Sequence, residues 1–376
     1  MIDPDRLALE FQTLLNIESP SKKEGKLAYY LADIFEVLNY KCFFDKSSEN
    51  TYSEVGNLIV KIPGTLPKPP IFFCAHLDTV GPYENPKIIF EKGIFKSDGK
   101  TILGADDKSG IAILIEVAKV LKENLFPHPP IEFIFTTCEE IGLLGAKYLN
   151  YNLVDAKEGF VLDSENVEEV INSAPSSYQF VIEIKGKSAH AGLNPEEGIN
   201  SIHIISQILA DLPFGRIDEE TTMNVGIING GNYVNIVPDY AIAKGEMRSH
   251  QEKKLLELQN LIQNQINKII NFYKKGDLPI GCAKFEKVFK AFKIPVEDPL
   301  CKLVKKAGER LNLNIIFKKK EGGSDANIFN EQGLKCLILG TGMQKVHSTE
   351  EYIKLKDLIL STHLVLEIIK LKGEMD

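Results

Sequence analysis

Apolar residues recur at helical spacing through Leu27, Leu31, Ile34, Phe35 and Leu38, which predicts a helix, the second of two that open the chain. Ser21-Lys22-Lys23-Glu24 just before it reads as a Ser-x-x-Glu capping box. The pattern then shortens to apolar runs of strand length at 57–61, 71–75, 131–137 and 159–162, with a helical stretch at 108–121 between the second and third. Apolar strands alternating with helices predict an α/β sheet covered on both faces.

Near Ser173 the period changes. Tyr178, Phe180, Ile182 and Ile184 alternate, as in an antiparallel strand with one face in water. A helix at 198–209, strands at 224–228 and 241–248, a long amphipathic helix at 251–273 and a strand at 283–289 complete a small α+β unit. After Pro295 the α/β character returns, with a helix at 300–311, a strand at 334–339 and a closing helix at 355–371. The expected organisation is a discontinuous main domain, 1–173 and 289–376, with a second domain, 174–288, inserted into it.

Composition narrows the function. A length of 376 residues suits two domains. With 44 Lys and Arg against 52 Asp and Glu, the net charge of −8 argues against nucleic acid as a partner, which would demand a basic face. No apolar run approaches the ~20 residues that span a bilayer, so no membrane partner is expected. The opening Met1-Ile2-Asp3-Pro4-Asp5-Arg6 is acidic where a signal peptide carries positive charge. Six cysteines lie scattered without Cys-x-x-Cys spacing, as expected of reduced thiols in a cytoplasmic protein.

The candidate chemistry gathers at strand ends. Phe72-Phe73-Cys74-Ala75-His76-Leu77-Asp78 closes an apolar run with His-x-Asp, which puts His76 and Asp78 on one side of the strand. A carboxylate there can take the second ring N–H of a metal-binding histidine. Phe135-Thr136-Thr137-Cys138-Glu139-Glu140 ends in paired acids with divergent side chains, suited to one metal ligand and one general base. Phe160-Val161-Leu162-Asp163 ends in an acid too. Gly104-Ala105-Asp106-Asp107-Lys108 leads into a helix, where Asp107 also reads as plain compensation of the helix dipole. His347 follows a glycine-rich turn at Gly340 and Gly342. The carboxyl ends of strands in an open α/β sheet form one rim where ligands bind. Two histidines and several acids on that rim suit Zn²⁺ or a similar ion, and the surplus of ligands makes two ions plausible.

His76-Leu77-Asp78, Gly104-Ala105-Asp106-Asp107-Lys108, Glu139-Glu140-Ile141-Gly142, Asp163 and His347 resemble, in order and spacing, the co-catalytic di-zinc exopeptidases. That family includes peptidase T, carboxypeptidase G and acetylornithine deacetylase. The inserted segment is similar as well, through Gly186-Lys187-Ser188-Ala189-His190-Ala191-Gly192 and Asn235-Ile236-Val237-Pro238. The stretch 103–110 looks most like peptidase T. The resemblance implies a di-zinc exopeptidase-type α/β catalytic domain with an inserted α+β lid and dimerisation domain. It implies one zinc on His76 and Asp163, another on Glu140 and His347, and Asp106 bridging the two. Co²⁺ or Mn²⁺ would suit the same donors. Asp78 would orient His76, and Glu139 would be the general base.

By the same resemblance His190 stabilises the oxyanion in the partner's site across a homodimer, and Asn235 and Arg248 contact substrate. Arg248 also has a plain reading, a surface ion pair with Glu246 or Glu252. The implied activity is hydrolysis of short peptides as by a tripeptide aminopeptidase. The alternatives are an N-acyl-amino-acid amidohydrolase or carboxypeptidase with the same metals, or a non-catalytic binding protein on this fold. Ser164-Glu165 stands where peptidase T has glycines.

Overall fold

A computed structural model describes residues 1–124 and 126–374. Positions 375 and 376, the end of the expected main domain, lie outside the described residues, as does 125. The chain forms two compact units. The first comprises Met1–Asn172, Lys293–Lys319 and Ser324–Asp376, and the second Ser173–Phe292 with Lys320–Gly323.

The first unit is built on a nine-stranded mixed sheet of the described residues. At its centre four strands run parallel, in the order Ile131–Thr136, Ile71–His76, Glu158–Ser164 and Lys335–Gly340. The first two of these are buried along their whole length, which is why their sequence runs apolar without alternating. Phe73 stacks on Phe160 across the Ile71–His76 and Glu158–Ser164 pair, and Phe35 packs from the helix Gly25–Val37 onto Phe133 and Phe135. The helix Ala105–Glu123 is buried around most of its circumference, and its φ/ψ are non-helical at Asp106 and Asp107. A separate four-stranded sheet, Ile88–Glu91, Ile94–Ser97, Met343–Gln344 and Tyr352–Lys354, has no counterpart in the expected elements.

The capping box is a correction. The helix starts at Gly25, and no side chain caps it. Ser21 Oγ instead donates to Asp78 Oδ2 at 2.6 Å, and Glu24 turns inward to accept from Ser53 Oγ and the Cys138 amide. A donor shut away from water gains more from a carboxylate than a helix turn that water can solvate.

The second unit is a five-stranded antiparallel sheet in the order Gly215–Asp218, Thr221–Gly230, Tyr240–Ser249, Ser176–Lys185 and Ile280–Phe289. Phe180, Ile182 and Ile184 form its core with Ala243, Met247, Ile204, Ile208, Leu258 and Ile262, the last four from the helices Ser201–Ala210 and Glu252–Phe272. The alternation read at 178–184 is this buried face. Among the described residues, no helix is long and apolar enough to cross a membrane.

Candidate active site

Because the four central strands of the first unit are parallel, their carboxyl ends share one edge. His76 ends its strand, Asp163 lies near the end of the next, and Glu139 and Glu140 follow Thr136. Asp106 enters from the start of the long helix, and His347 from the segment after Gly340. His347 has a left-handed backbone, with φ +61°.

The geometry centres on Asp106. Its Oδ1 lies 2.9 Å from His76 Nε2, and its Oδ2 lies 3.2 Å from His347 Nε2. Glu140 Oε1 lies 3.0 Å from the same His347 nitrogen. One donor atom each from His76, Asp106 and Glu140 falls within a 4.8 Å cluster. Donors about 2.0–2.2 Å from a tetrahedral ion sit roughly 3.3 Å apart, so this N/O set fits divalent metal with little rearrangement. Each oxygen of Asp106 has its own histidine, which is the layout of a carboxylate shared between two ions.

Electrostatics follows from burial. Burial opposes a charged His76, but the carboxylates of Asp106 and Asp78 outweigh it and raise its pKa well above the ordinary value. Asp106 and then Glu140 push the half-exposed His347 up to about 10. Burial raises the Glu139 carboxyl well above the usual range; His76 opposes this, while Asp163 and Asp325 reinforce it. Asp163 is buried and acts on Asp107 in the same direction. With no cation present, this rim holds more negative charge than its surroundings favour, and a divalent ion would neutralise it.

Asp78 has a broader part than orienting His76. His76 Nδ1 faces the Asp78 backbone oxygen at 2.9 Å and its carboxylate at 3.7 Å. The carboxylate accepts the amides of Glu139 at 2.9 Å and Glu140 at 3.2 Å. Asp107 accepts the Gly110 amide at 3.1 Å, in keeping with a helix-start role, and also the His76 amide at 3.2 Å. Sequence reasoning missed Glu351. It is buried and accepts the amides of Gly104 at 2.7 Å and Asp106 at 3.1 Å, tying the His347 segment to the Asp106 loop. The one available signal was that Glu350-Glu351 repeats the adjacent-acid pattern of Glu139-Glu140. Gly104 is required there: its φ is +77°, and a Cβ would lie 2.7 Å from the Tyr83 ring.

The other three expected residues belong to the second unit. His190 and Asn235 sit on neighbouring exposed loops, joined by the Ala191 amide on the Asn235 oxygen at 2.9 Å. His190 Nδ1 accepts the amides of Gly192 and Leu193 at 3.2 and 3.1 Å. With Nδ1 accepting, a ring N–H is left on Nε2 of this exposed side chain. Arg248 pairs with Glu246 at 3.0 Å, the plain reading, while its Nε is buried without a hydrogen-bond partner.

Two family models match parts of the chain: a peptidase dimerisation domain at residues 173–274, and peptidase family M28 at 57–193. A Bacillus subtilis protein described as uncharacterized, YqjE, is 36% identical over 374 residues, covering 98% of this chain and 99% of its own. The crystal structure of aminopeptidase PepT from Bacillus cereus superposes with a TM-score of 0.90 at 35% identity, covering 99% of both chains. That of a tripeptidase from Staphylococcus aureus does so with a TM-score of 0.94 at 34% identity, covering 100% of both.

Proposed function

Since this chain belongs to the peptidase T-like family of metallo-exopeptidases, we propose that it is an aminopeptidase that removes the N-terminal residue of short peptides, tripeptides foremost. The observation that carries this reading is the Asp106 carboxylate, with one oxygen toward His76 and the other toward His347, whose same nitrogen Glu140 also meets. His76 and Asp163 would hold one divalent ion, Glu140 and His347 the other, with Asp106 between them. Zinc is the first candidate, because imidazole with carboxylate suits it. Such a pair, when bound, lowers the pKa of water toward ~7 and stabilises charge developing on the scissile carbonyl. Glu139 accepts the proton of the attacking water and returns it to the leaving amine. Asp78 holds the Glu139 and Glu140 amides, and so the direction of both side chains.

The domain 174–288, inserted into a catalytic domain of 1–173 and 289–376, is proposed to dimerise and to supply His190, Asn235 and Arg248 to substrate. Support for dimerisation comes from the dimerisation-domain match and from the part of Thr221–Gly230 beyond its pairing with Gly215–Asp218, where Ile227 and Ile228 are exposed. The Nε2–H of His190 suits an oxyanion donor in the partner's site. Arg248 suits the free carboxylate of a peptide once it leaves Glu246. Free thiols at all six cysteines are compatible with work in the cytoplasm. The test is hydrolysis by metal-loaded protein of a tripeptide panel beside N-acetyl and N-carbamoyl amino acids. Release of free N-terminal residues from tripeptides is expected. Turnover confined to the N-acyl compounds would replace this reading with an amidohydrolase.

A further inference from the structure

Residues 16–24, which lead into the helix Gly25–Val37, supply no ligand to the proposed metal site, yet they are bound to the stretch after His76 and to the turn that carries Glu139 and Glu140. Ser19 Oγ donates to the Leu77 oxygen at 2.8 Å, and the Ser19 oxygen accepts the Thr79 amide at 3.0 Å. Ser21 holds Asp78, as described. The last residue of this segment, Glu24, is fully buried. Glu24 Oε1 accepts the amides of Lys22 at 2.9 Å and Cys138 at 3.0 Å and faces the Cys138 thiol at 3.3 Å, while Oε2 accepts Ser53 Oγ at 2.5 Å.

Three consecutive amides, 138, 139 and 140, are thus held by two buried carboxylates, Glu24 on the first and Asp78 on the next two. Cys138 has φ +54°, a left-handed backbone that a non-glycine residue keeps only when its surroundings impose it. This turn leads directly into the two adjacent glutamates, of which Glu140 meets His347 at 3.0 Å. Glu24 is the group that meets the turn at its first amide.

We propose that Glu24 is a positioning residue for hydrolysis: it fixes the Cys138 amide and thereby sets the separate directions of Glu139 and Glu140. This rests on the reading of Glu139 as base and Glu140 as metal ligand. The role is geometric, so a neutral acceptor of the same shape serves. In Glu24→Gln the amide oxygen can take both N–H groups, and the amide nitrogen can donate to Ser53 Oγ. In Glu24→Ala the Cys138 amide is left buried and unpaired. In Glu24→Asp the carboxylate is withdrawn by one methylene and falls short of it.

The experiment compares wild type, Glu24→Gln, Glu24→Asp, Glu24→Ala and Glu139→Gln. It measures kcat and KM on a tripeptide, zinc content after loading, and the visible spectrum of the cobalt-substituted protein. Misplacing a reacting group by about 1 Å costs ~10²-fold, so Glu24→Ala and Glu24→Asp are expected to lose kcat on that order. KM should stay within about threefold, because substrate binding is not what the turn controls. The cobalt spectrum should change in both, since Glu140 moves, and Glu24→Gln should restore spectrum and kcat to near wild type. If Glu24→Ala does not fold, the Asp and Gln variants decide alone. Wild-type kcat and spectrum in Glu24→Asp, or a Glu24→Gln as slow as Glu24→Asp, overturns the proposal while an inactive Glu139→Gln leaves the functional reading standing. Wild-type turnover in Glu139→Gln overturns the functional reading itself.

Discussion

The rim of the first unit and the loops of the second solve different problems. On the rim, Asp78, Asp107 and Glu351 are buried carboxylates spent on backbone amides, and they hold the segments carrying His76, Asp106, Glu139 and Glu140. In the second unit His190 and Asn235 are exposed, fastened mainly through backbone bonds, and Arg248 is occupied by Glu246. Bond-breaking chemistry tolerates little misplacement, and so tightly held a rim suits the catalysis proposed for it. The substrate contacts proposed for His190 and Asn235 must form and release, which exposed loops permit.

Breaking the clamped side should cost most. Glu139→Gln keeps the size of the side chain but removes the proton acceptor, so kcat should fall ~10²–10⁴-fold. Metal content should be unchanged, and activity assays paired with elemental analysis check both. On the loop side, His190→Ala should lose ~10²–10³-fold in kcat if its N–H meets the oxyanion. Mixing it with Glu139→Gln under subunit exchange should restore part of the activity, and verified heterodimers without activity would remove the cross-subunit role. Arg248→Lys should be milder and selective. It should cost about tenfold in kcat/KM on free-acid peptides, with almost no change on C-terminal amides, because lysine cannot form the two parallel bonds.

The smallest effect is on stability. In the metal-free protein the His347 pKa is raised to about 10 by Asp106 and Glu140. The stabilisation it confers is therefore complete below its unfolded value of about 6.5 and fades as pH rises through about 10. His347→Gln should lower the Tm of metal-free protein more at pH 6 than at pH 10, and equal shifts would deny the contact. For the same reason metal uptake near neutral pH should displace at least two protons, one each from His347 and His76, measurable by calorimetry in buffers of different ionisation enthalpy.

The two regions were also unequally legible in sequence. Buried parallel strands leave continuous apolar runs, so Ile71–His76 and Ile131–Thr136 could be read with the acids at their ends. Core alternation exposed Ser176–Lys185 equally well. The hairpin Ile88–Glu91 and Ile94–Ser97 is four residues a side and half exposed, and its sheet is completed by residues near 343 and 352, so no local pattern marks it. Support residues were hidden for a related reason. Glu351 serves amides 245 and 247 positions away, and Glu24 one 114 away. Ser21 and Glu24 were misread because Ser-x-x-Glu has a common local use, while here both side chains answer to distant buried groups.

Whether Asp106 is shared by two divalent ions is decided by zinc-edge anomalous diffraction from zinc-loaded crystals. Two peaks per chain are expected, one between His76 and Asp163 and one between Glu140 and His347, each beside a different oxygen of Asp106. A single peak, or two peaks with Asp106 bound to neither or only one, would rule out a shared Asp106.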